Sequence, residues 1–311
     1  MKISLLTDAP KHNLALMKIS AYHKQQGDDV LLNMPLFPSD YTYASVLFEK
    51  NRKLFIADEY GGPAYEVQNN KGRVPIDELD CSRGRRWDNK KSNRIGVQNI
   101  LKKEAQTIFP DYGLYNLDFS LGYTFRPCFR KCKFCKVNKM PHPDIDHHSI
   151  WEFHKPEFKK ICLLNNNTFF DKQWKETFEE IWDANLTVID ENGYDLRLLD
   201  EEKADALKKT RFDNKLHFAW DRMKDEFEIR KGLELLKKYE INNTHIYILI
   251  GFDTTREEDL HRCQVLVDCG HDPYIMPYIR TRRNLDFQRF INTFMWRKYK
   301  TIKEAWGDYL K

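Results

Sequence analysis

The sequence lacks any apolar run that approaches the ~20 residues of a membrane-spanning helix. The apolar stretch over residues 1–6 is also too short for a signal peptide. Seven cysteines, an odd number with three clustered together, do not fit a disulfide framework. We therefore expect no membrane partner and a reducing, cytoplasmic location.

A strong charge of one sign is also missing, because the formal net charge is +4 over 311 residues. This balance is too weak by itself to indicate a nucleic-acid partner. Hydrophobic residues make up 41% of the chain and aromatic residues 14%, which suffices for a substantial core and leaves rings for stacking. The length predicts two domains or one large one.

The most informative stretch covers residues 128–135, where Cys128, Cys132 and Cys135 have the spacing C-x3-C-x2-C. Thiolates at this density select an iron–sulfur cluster, zinc or Cu(I). Ferredoxin-type clusters are closed by four cysteines, and the fourth is missing here because the other cysteines are scattered. A cubane cluster held by three cysteines leaves one iron open to bind a substrate.

Zinc is the alternative interpretation of the same motif. His142, His147 and His148 follow closely, and three thiolates with one imidazole form a known type of structural zinc site. In that case the chain is a zinc-containing, nucleic-acid-binding protein without catalytic activity.

The N-terminal pattern is β-α-β. Residues 3–6 and 30–32 are predicted strands, separated by a helix that ends at Gly27, and residues 54–57 are predicted as another strand. We therefore predict a Rossmann-like domain over residues 1–114. Its last part is a helix over residues 97–109, which leads into the following domain.

From residue 117 onward, six strand patterns alternate with helical patterns. The predicted strands cover residues 117–123, 160–164, 186–189, 216–220, 245–252 and 273–279. Asp200 and the pair Thr255 and Glu258 are predicted to cap two of the helices. Such alternation implies right-handed βαβ units, and a closed eightfold barrel needs ~250 residues.

We therefore predict an α/β fold with a six-stranded open (β/α)6 partial TIM barrel over residues 115–285. A short helical C-terminal tail follows over residues 286–311. Its aromatic residues are expected to pack on the barrel, with a nucleic-acid contact as the alternative.

The cysteine spacing, with the aromatic Phe134 before the last cysteine, resembles the signature of radical S-adenosylmethionine (SAM) enzymes. The resemblance implies a [4Fe-4S] cluster whose open iron is chelated by SAM, and an electron donor such as flavodoxin or ferredoxin. Reductive cleavage of SAM then yields methionine and a 5'-deoxyadenosyl radical that abstracts hydrogen from a substrate. The expected position of the cysteine loop, after the first strand of an open barrel, matches this family.

In parallel α/β folds, ligands bind at the carboxyl ends of the strands, and the resemblance assigns the SAM contacts to these positions. The candidates are Phe134, Asn165, Asn166, Asn167, Asp195, Arg197, Ile250, Gly251, Phe252 and Tyr278. The asparagines stand where relatives carry a Gly-Gly-Glu-like motif for the SAM amino group. Arg197 is expected to meet the carboxylate and Asp195 the ribose, while Phe134 and residues 250–252 lie against adenine.

Plain structural roles are the alternative for these residues, with a turn for the asparagines and a surface ion pair for Arg197. The fourth strand ends in Trp220, Asp221 and Arg222, whose polar groups are expected to face the cavity.

The N-terminal domain resembles, in architecture, the cobalamin-binding domain that precedes some radical SAM enzymes. The motif Asp-x-His-x-x-Gly is missing, because Asp8 and His12 are four residues apart. We therefore expect a degenerate domain without cobalamin, in which Asp8 and His12 act as turn and cap residues.

The substrate is not defined by the cluster motif. The basic residues over 81–94 and over 280–283 make a nucleic-acid base or nucleotide one option. A peptide or a small metabolite is equally compatible with the sequence.

Overall fold

The structure is a computed structural model that describes residues 1–66, 108–137, 145–242 and 244–311. The basic segment over residues 81–94 lies outside these residues, as does almost all of the helix predicted over 97–109. The chain divides into two compact units. The first comprises residues 1–121, 135–143 and 151–155, and the second comprises residues 122–134, 144–150 and 156–311.

The first unit is built on a parallel sheet with the strand order β2-β1-β3-β4. The strands are β1 (Lys2–Thr7), β2 (Asp29–Leu32), β3 (Tyr41–Ser45) and β4 (Glu59–Gly61), with helix α1 (Leu14–Gln25) between β1 and β2 and the helical turn α2 (Pro63–Glu66) after β4. Ile3 and Leu5 pack against Leu16 and Ile19 in the buried core. The predicted β-α-β start is confirmed.

The strand predicted over residues 54–57 is wrong. Leu54 and Ile56 are 61% and 79% exposed, so the apolar pattern there does not correspond to a buried face. The hydroxyl of Tyr60 accepts a hydrogen bond from the Ala57 N–H and donates to the Phe55 carbonyl, which holds the segment as an irregular loop. Strands β3 and β4 on either side supply the sheet instead.

The second unit contains two further parallel sheets, with strand orders β5-β6-β7-β8 and β9-β10-β11. The strands are β5 (Ser120–Gly122), β6 (Lys160–Leu163), β7 (Thr187–Ile189), β8 (Arg211–Phe212), β9 (His217–Ala219), β10 (His245–Ile250) and β11 (Asp272–Pro277). Strand β5 ends in this unit, where the Gly122 carbonyl accepts a hydrogen bond from the N–H of Leu164 (2.8 Å). All six predicted strands are present in shortened form, and β8 is an unpredicted addition.

Helices follow these strands and cover the buried face of the sheets. They are α3 (Trp174–Asp183), α4 (Glu201–Lys209), α5 (Glu226–Lys238), α6 (Arg256–Asp268), α7 (Arg282–Asn292) and α8 (Ile302–Tyr309). Asp200 caps α4, and Thr255 forms a capping box with Glu258 at the start of α6, as predicted. The predicted α/β class, with parallel sheets, is therefore confirmed.

The core of the second unit lies between β9-β10-β11 and the helices. Ile246, Ile248 and Ile250 alternate along β10 and are fully buried. In the tail, Phe287 and Trp306 belong to the same buried cluster, as predicted for packing rather than for ligand contact. Within the described residues, none of the helices combines the length and apolar character needed to cross a bilayer.

Candidate functional site

The cysteine loop follows β5. Cys132 is buried, whereas Cys128 and Cys135 are partly buried. Burial raises the pKa of the Cys132 thiol, while the nearby guanidinium groups of Arg222 and Arg197 act in the opposite direction. Across the part of the chain that the structure describes, no three His, Cys, Asp or Glu side chains are arranged as a metal-binding group.

Arg130, inside the cysteine loop, ties this loop to the segment after β7. Its Nε donates to Oδ2 of Asp195 over 2.6 Å, and its guanidinium lies 5.4 Å from the centroid of the Phe170 ring. The same Asp195 oxygen accepts a hydrogen bond from Nδ2 of Asn167 (3.1 Å). Asp195 therefore joins the cysteine loop to the segment that follows β6.

The ion pairs continue from Asp195 toward the segment after β9. Arg197 donates through Nε (2.7 Å) and Nη2 (3.0 Å) to Asp195, and through Nη1 to Asp225 (2.7 Å). Arg222 pairs with the same Asp225. The chain of charges thus runs in the order Arg130, Asp195, Arg197, Asp225 and Arg222.

This arrangement changes the titration of its central pair. Burial by itself raises the pKa of the Asp195 carboxyl, but Arg197 and Arg130 lower it below the ordinary value. Burial by itself lowers the pKa of Arg197. The hydrogen bonds and charges of Asp195 and Asp225 outweigh burial and raise this pKa above the ordinary value. Both groups are therefore charged at neutral pH, and the guanidinium predicted to meet the SAM carboxylate is already paired with two protein carboxylates.

The three asparagines after β6 have different environments. The Asn165 side chain is buried: its oxygen accepts from the N–H groups of Thr124 and Phe125, and its nitrogen donates to the Thr124 and Thr168 hydroxyls. This side chain holds the start of the cysteine loop. Asn166 is exposed and donates to the Arg126 carbonyl.

Asn167 is the asparagine with unused hydrogen-bonding capacity. Its nitrogen donates to Asp195, but its Oδ1 is buried without a hydrogen-bond partner among the described residues. A buried unsatisfied acceptor costs about 1–3 kcal/mol. A ligand with an N–H or ammonium group would satisfy it.

Three of the predicted residues form one aromatic cluster. Phe134 from the cysteine loop lies edge-on to Phe252, with ring centroids 5.6 Å apart, and Phe252 lies edge-on to Tyr278 at 4.9 Å. Phe252 follows β10 and Tyr278 follows β11, so the carboxyl ends of two adjacent strands meet the cysteine loop. We call Phe134, Phe252 and Tyr278 the aromatic cluster.

The other two candidates at this strand end are Ile250, the last residue of β10, and Gly251, which follows it. The Ile250 side chain is buried in the core, and its carbonyl accepts a hydrogen bond from the Tyr278 N–H (2.9 Å). Gly251 has φ +72°, and a Cβ at this position would lie 2.5 Å from Nδ2 of Asn284. Glycine is therefore needed here for both conformation and space.

Sequence reasoning missed the arginine beneath this edge. Arg262 on α6 is fully buried. It donates to the carbonyl of Trp220 (2.7 Å), which directly follows β9, and to that of Leu249 (2.9 Å), the last residue but one of β10. Asp259 pairs with it over 2.6 Å. A signal was present, because Asp259 and Arg262 are three residues apart on a predicted helix, a spacing at which opposite charges can pair.

Among the histidines of the zinc interpretation, His147 has a side chain that is engaged elsewhere. Nδ1 of His147 lies 2.6 Å from Oδ2 of Asp171, and both side chains are buried. The backbone N–H of His148 donates to the Thr124 carbonyl (2.8 Å). His142 lies outside the described residues.

Comparisons with protein-family models, with curated proteins and with solved structures found no match to this chain.

Proposed function

We propose that this chain is a radical SAM enzyme that holds a [4Fe-4S] cluster through Cys128, Cys132 and Cys135. When bound, the cluster and SAM supply a 5'-deoxyadenosyl radical for hydrogen abstraction. One observation carries the proposal: the C-x3-C-x2-C loop follows the first strand of a series of parallel βα units and brings Phe134 against Phe252, at the end of β10.

We infer that the two sheets of the second unit are parts of one open barrel. Tyr194, five residues after β7, makes a parallel bridge to Phe218 on β9. Its N–H donates to the His217 carbonyl over 2.8 Å. With this bridge, β5, β6, β7, β9, β10 and β11 follow one another in chain order, which is the strand order of a six-stranded partial barrel.

The unsatisfied oxygen of Asn167 supports a site for the SAM amino group. An ammonium group offers N–H donors to this oxygen, while the neighbouring Asp195 carboxylate is already paired with Arg130 and Arg197. This residue stands within the Asn165–Asn167 stretch that replaces the family's Gly-Gly-Glu-like motif. The pairing of Arg197 with Asp195 and Asp225 leaves it a positioning role beside this site.

The charges around Cys132 oppose the effect of burial on its thiol. Burial raises the pKa of this thiol, and the nearby guanidinium groups of Arg222 and Arg197 act against that shift. A thiolate, not a thiol, is the metal ligand. The same positive charge suits a cluster whose thiolate ligands make it anionic.

The aromatic cluster supports a place for the adenine ring. Offset and edge-to-face aromatic contacts each contribute about 0.5–1.5 kcal/mol beyond area burial. Phe134 and Phe252 are partly buried and form the inner part of the cluster.

In the first unit, Asp8 supports the expectation that this domain is a degenerate one. Its carboxylate accepts hydrogen bonds from the N–H groups of Leu47 (2.7 Å) and Phe48 (3.1 Å) and from Nδ2 of Asn51 (2.8 Å). These bonds occupy the crevice beyond β1 and β3, where the strand order reverses and ligands of such sheets bind. Asp8 thus has a structural role there, as the turn interpretation predicts.

Metal analysis of protein purified without air tests the proposal. After reconstitution with iron and sulfide we expect a brown protein with about four irons per chain. Cys128→Ala, Cys132→Ala and Cys135→Ala should each remove the cluster. Cys269→Ala is the matched control, because Cys269 is exposed and lies outside the motif.

A colourless protein with one tightly held zinc would overturn the proposal and favour the zinc alternative. A full cluster in the three single variants would also contradict it.

A further inference from the structure

Exposed cations are close in sequence to two members of the aromatic cluster. Lys131 and Lys133 precede Phe134 in the cysteine loop, and Arg280 and Arg283 follow Tyr278. All four are exposed, and within the described ranges none of them forms an ion pair with a carboxylate. By contrast, the Arg282 side chain between the two arginines pairs with Asp286. We call Lys131, Lys133, Arg280 and Arg283 the basic rim.

The outer part of the aromatic cluster is open to solvent. Tyr278 packs edge-on against Phe252 yet is 50% exposed, and the neighbouring Ile279 is 54% exposed. A single exposed apolar residue is ordinary. An exposed ring held by a second ring, with exposed cations in the cysteine loop and just after β11, combines the two features used to bind single-stranded nucleic acid, which are aromatic stacking and positive charge.

We propose that the basic rim and Tyr278 bind a ligand in which a nucleobase carries phosphate. Tyr278 stacks with the base, and the cations of the rim pair with the phosphates. A single strand of nucleic acid and a free nucleotide offer this same chemistry. The inference rests on the proposed function, because it names the substrate class of that enzyme.

The arrangement favours an unpaired base over a duplex. Bases within a duplex are stacked on one another and offer no free face to a side chain. Arginine also suits phosphate, because its fork of donors matches the phosphate oxygens. One carboxylate opposes this attraction: Asp253, exposed, directly follows Phe252.

Fluorescence anisotropy with the full-length protein and a short labelled single-stranded oligonucleotide tests the inference. We expect binding that weakens as salt rises. Arg280→Gln/Arg283→Gln should weaken binding about tenfold or more. The slope of log affinity against log salt should become smaller in magnitude by about 1.4, because each phosphate contact contributes about 0.7 for single strands. Tyr278→Ala should weaken it about tenfold without changing the slope.

Matched controls lie on the same part of the fold. Arg289→Gln/Lys303→Gln removes the same charge from α7 and α8, where both side chains are exposed, and should bind as wild type does. Asp253→Asn should tighten binding, because it removes the opposing charge. The melting temperature of every variant establishes that it is folded.

Competition experiments identify the source of the ligand. Displacement of the labelled strand by a mononucleotide supports a nucleotide, and displacement by unlabelled single strand alone supports a nucleic acid. Equal binding of a duplex, binding without salt dependence, or wild-type binding by Arg280→Gln/Arg283→Gln would overturn the inference.

The two proposals fail separately. Strand binding by a protein that holds no iron and leaves SAM intact overturns the proposed function and leaves the base–phosphate site standing. Cleavage of SAM by a protein that binds no strand and no nucleotide overturns only the base–phosphate site.

Discussion

Only one end of the Asn167 side-chain amide forms a hydrogen bond to the described residues. Its nitrogen donates to Asp195, while its oxygen is buried without a partner in the described part of the chain. Folding gains little from such an acceptor, because its desolvation is not compensated. We infer that this oxygen accepts a hydrogen bond from a bound ligand. In the proposed enzyme, the donor is the ammonium group of SAM.

Asn167→Ala should separate ligand binding from stability. The variant loses a hydrogen bond to Asp195 but also removes an unsatisfied oxygen, so the free energy of unfolding should change by less than about 1 kcal/mol. The dissociation constant for SAM should rise about tenfold, which corresponds to ~1.4 kcal/mol. Equilibrium dialysis with the reconstituted protein measures it, and unchanged SAM affinity would contradict the role given to this oxygen.

Gly251 is required both by its positive φ and by the lack of space for a Cβ. A comparison with Gly270 separates these two effects. Gly251→Ala meets the strain of a positive φ, about 1–2 kcal/mol, and also the side chain of Asn284, which is held by the Ile279 carbonyl (2.9 Å) and by Arg256 (3.0 Å). Gly270 has φ +82° with open space around it, so Gly270→Ala meets the strain alone.

In urea unfolding, Gly251→Ala should therefore lose about 1–3 kcal/mol more than Gly270→Ala, the range typical of overpacking. Equal losses would show that Asn284 moves aside freely.

At the scale of elements, the loops after β5, β6, β7 and β9 are joined by buried or partly buried charges. Asp195 is the centre, because it binds Arg130, Asn167 and Arg197 at once. A buried ion pair contributes little net stability when intact, but removing one partner leaves an uncompensated charge. This network holds the cysteine loop in place relative to the strand ends.

Asp195→Asn should destabilise the protein by about 3 kcal/mol at neutral pH. Since the pKa of Asp195 is lowered in the folded state, its contribution is complete above the ordinary carboxyl pKa of about 3.9 and is lost as pH falls further. The difference in unfolding free energy between wild type and variant should therefore shrink below about pH 4.

Asp213→Asn is the control for this prediction. It breaks an exposed ion pair with Lys160, which should contribute only about 0–1 kcal/mol. An Asp195→Asn protein as stable as this control at neutral pH would contradict the central position of Asp195.

Capping residues and apolar patterns predicted the helices and strands well where the apolar residues are buried in the fold. Asp200 and the pair Thr255 and Glu258 are read from capping chemistry alone, and both caps form. The apolar residues over 54–57 led to a wrong strand prediction, because Leu54 and Ile56 are exposed and do not form the buried face of a strand. Strand β8 has only two residues, too few for any periodic signal.

The site was predictable in its position and less so in its contacts. The carboxyl ends of parallel strands lie at one edge, and this rule places Phe252 and Tyr278 side by side. The ion pair between Arg130 and Asp195 joins residues 65 positions apart. The sequence of a loop does not show which charged residues will pair, so this contact could not be predicted from the sequence.

At the scale of the whole chain, the two units share the same building principle, a parallel sheet with its own core. In the first unit, Asp8 follows β1 and accepts hydrogen bonds from the segment after β3. In the second, the strand ends carry Asn167, the aromatic cluster and the part of the cysteine loop that contains Cys128 and Cys132. The chemistry that we propose therefore uses residues that follow β5, beginning with the cysteine motif.

Product analysis after reduction tests this central claim most directly. The reconstituted wild-type protein, given SAM and a strong reductant in the absence of air, should release 5'-deoxyadenosine and methionine. The variant Cys128→Ala/Cys132→Ala/Cys135→Ala should release neither, while Cys269→Ala should match wild type. SAM cleavage by the triple variant, or none by a wild-type protein with a full cluster, would contradict the account.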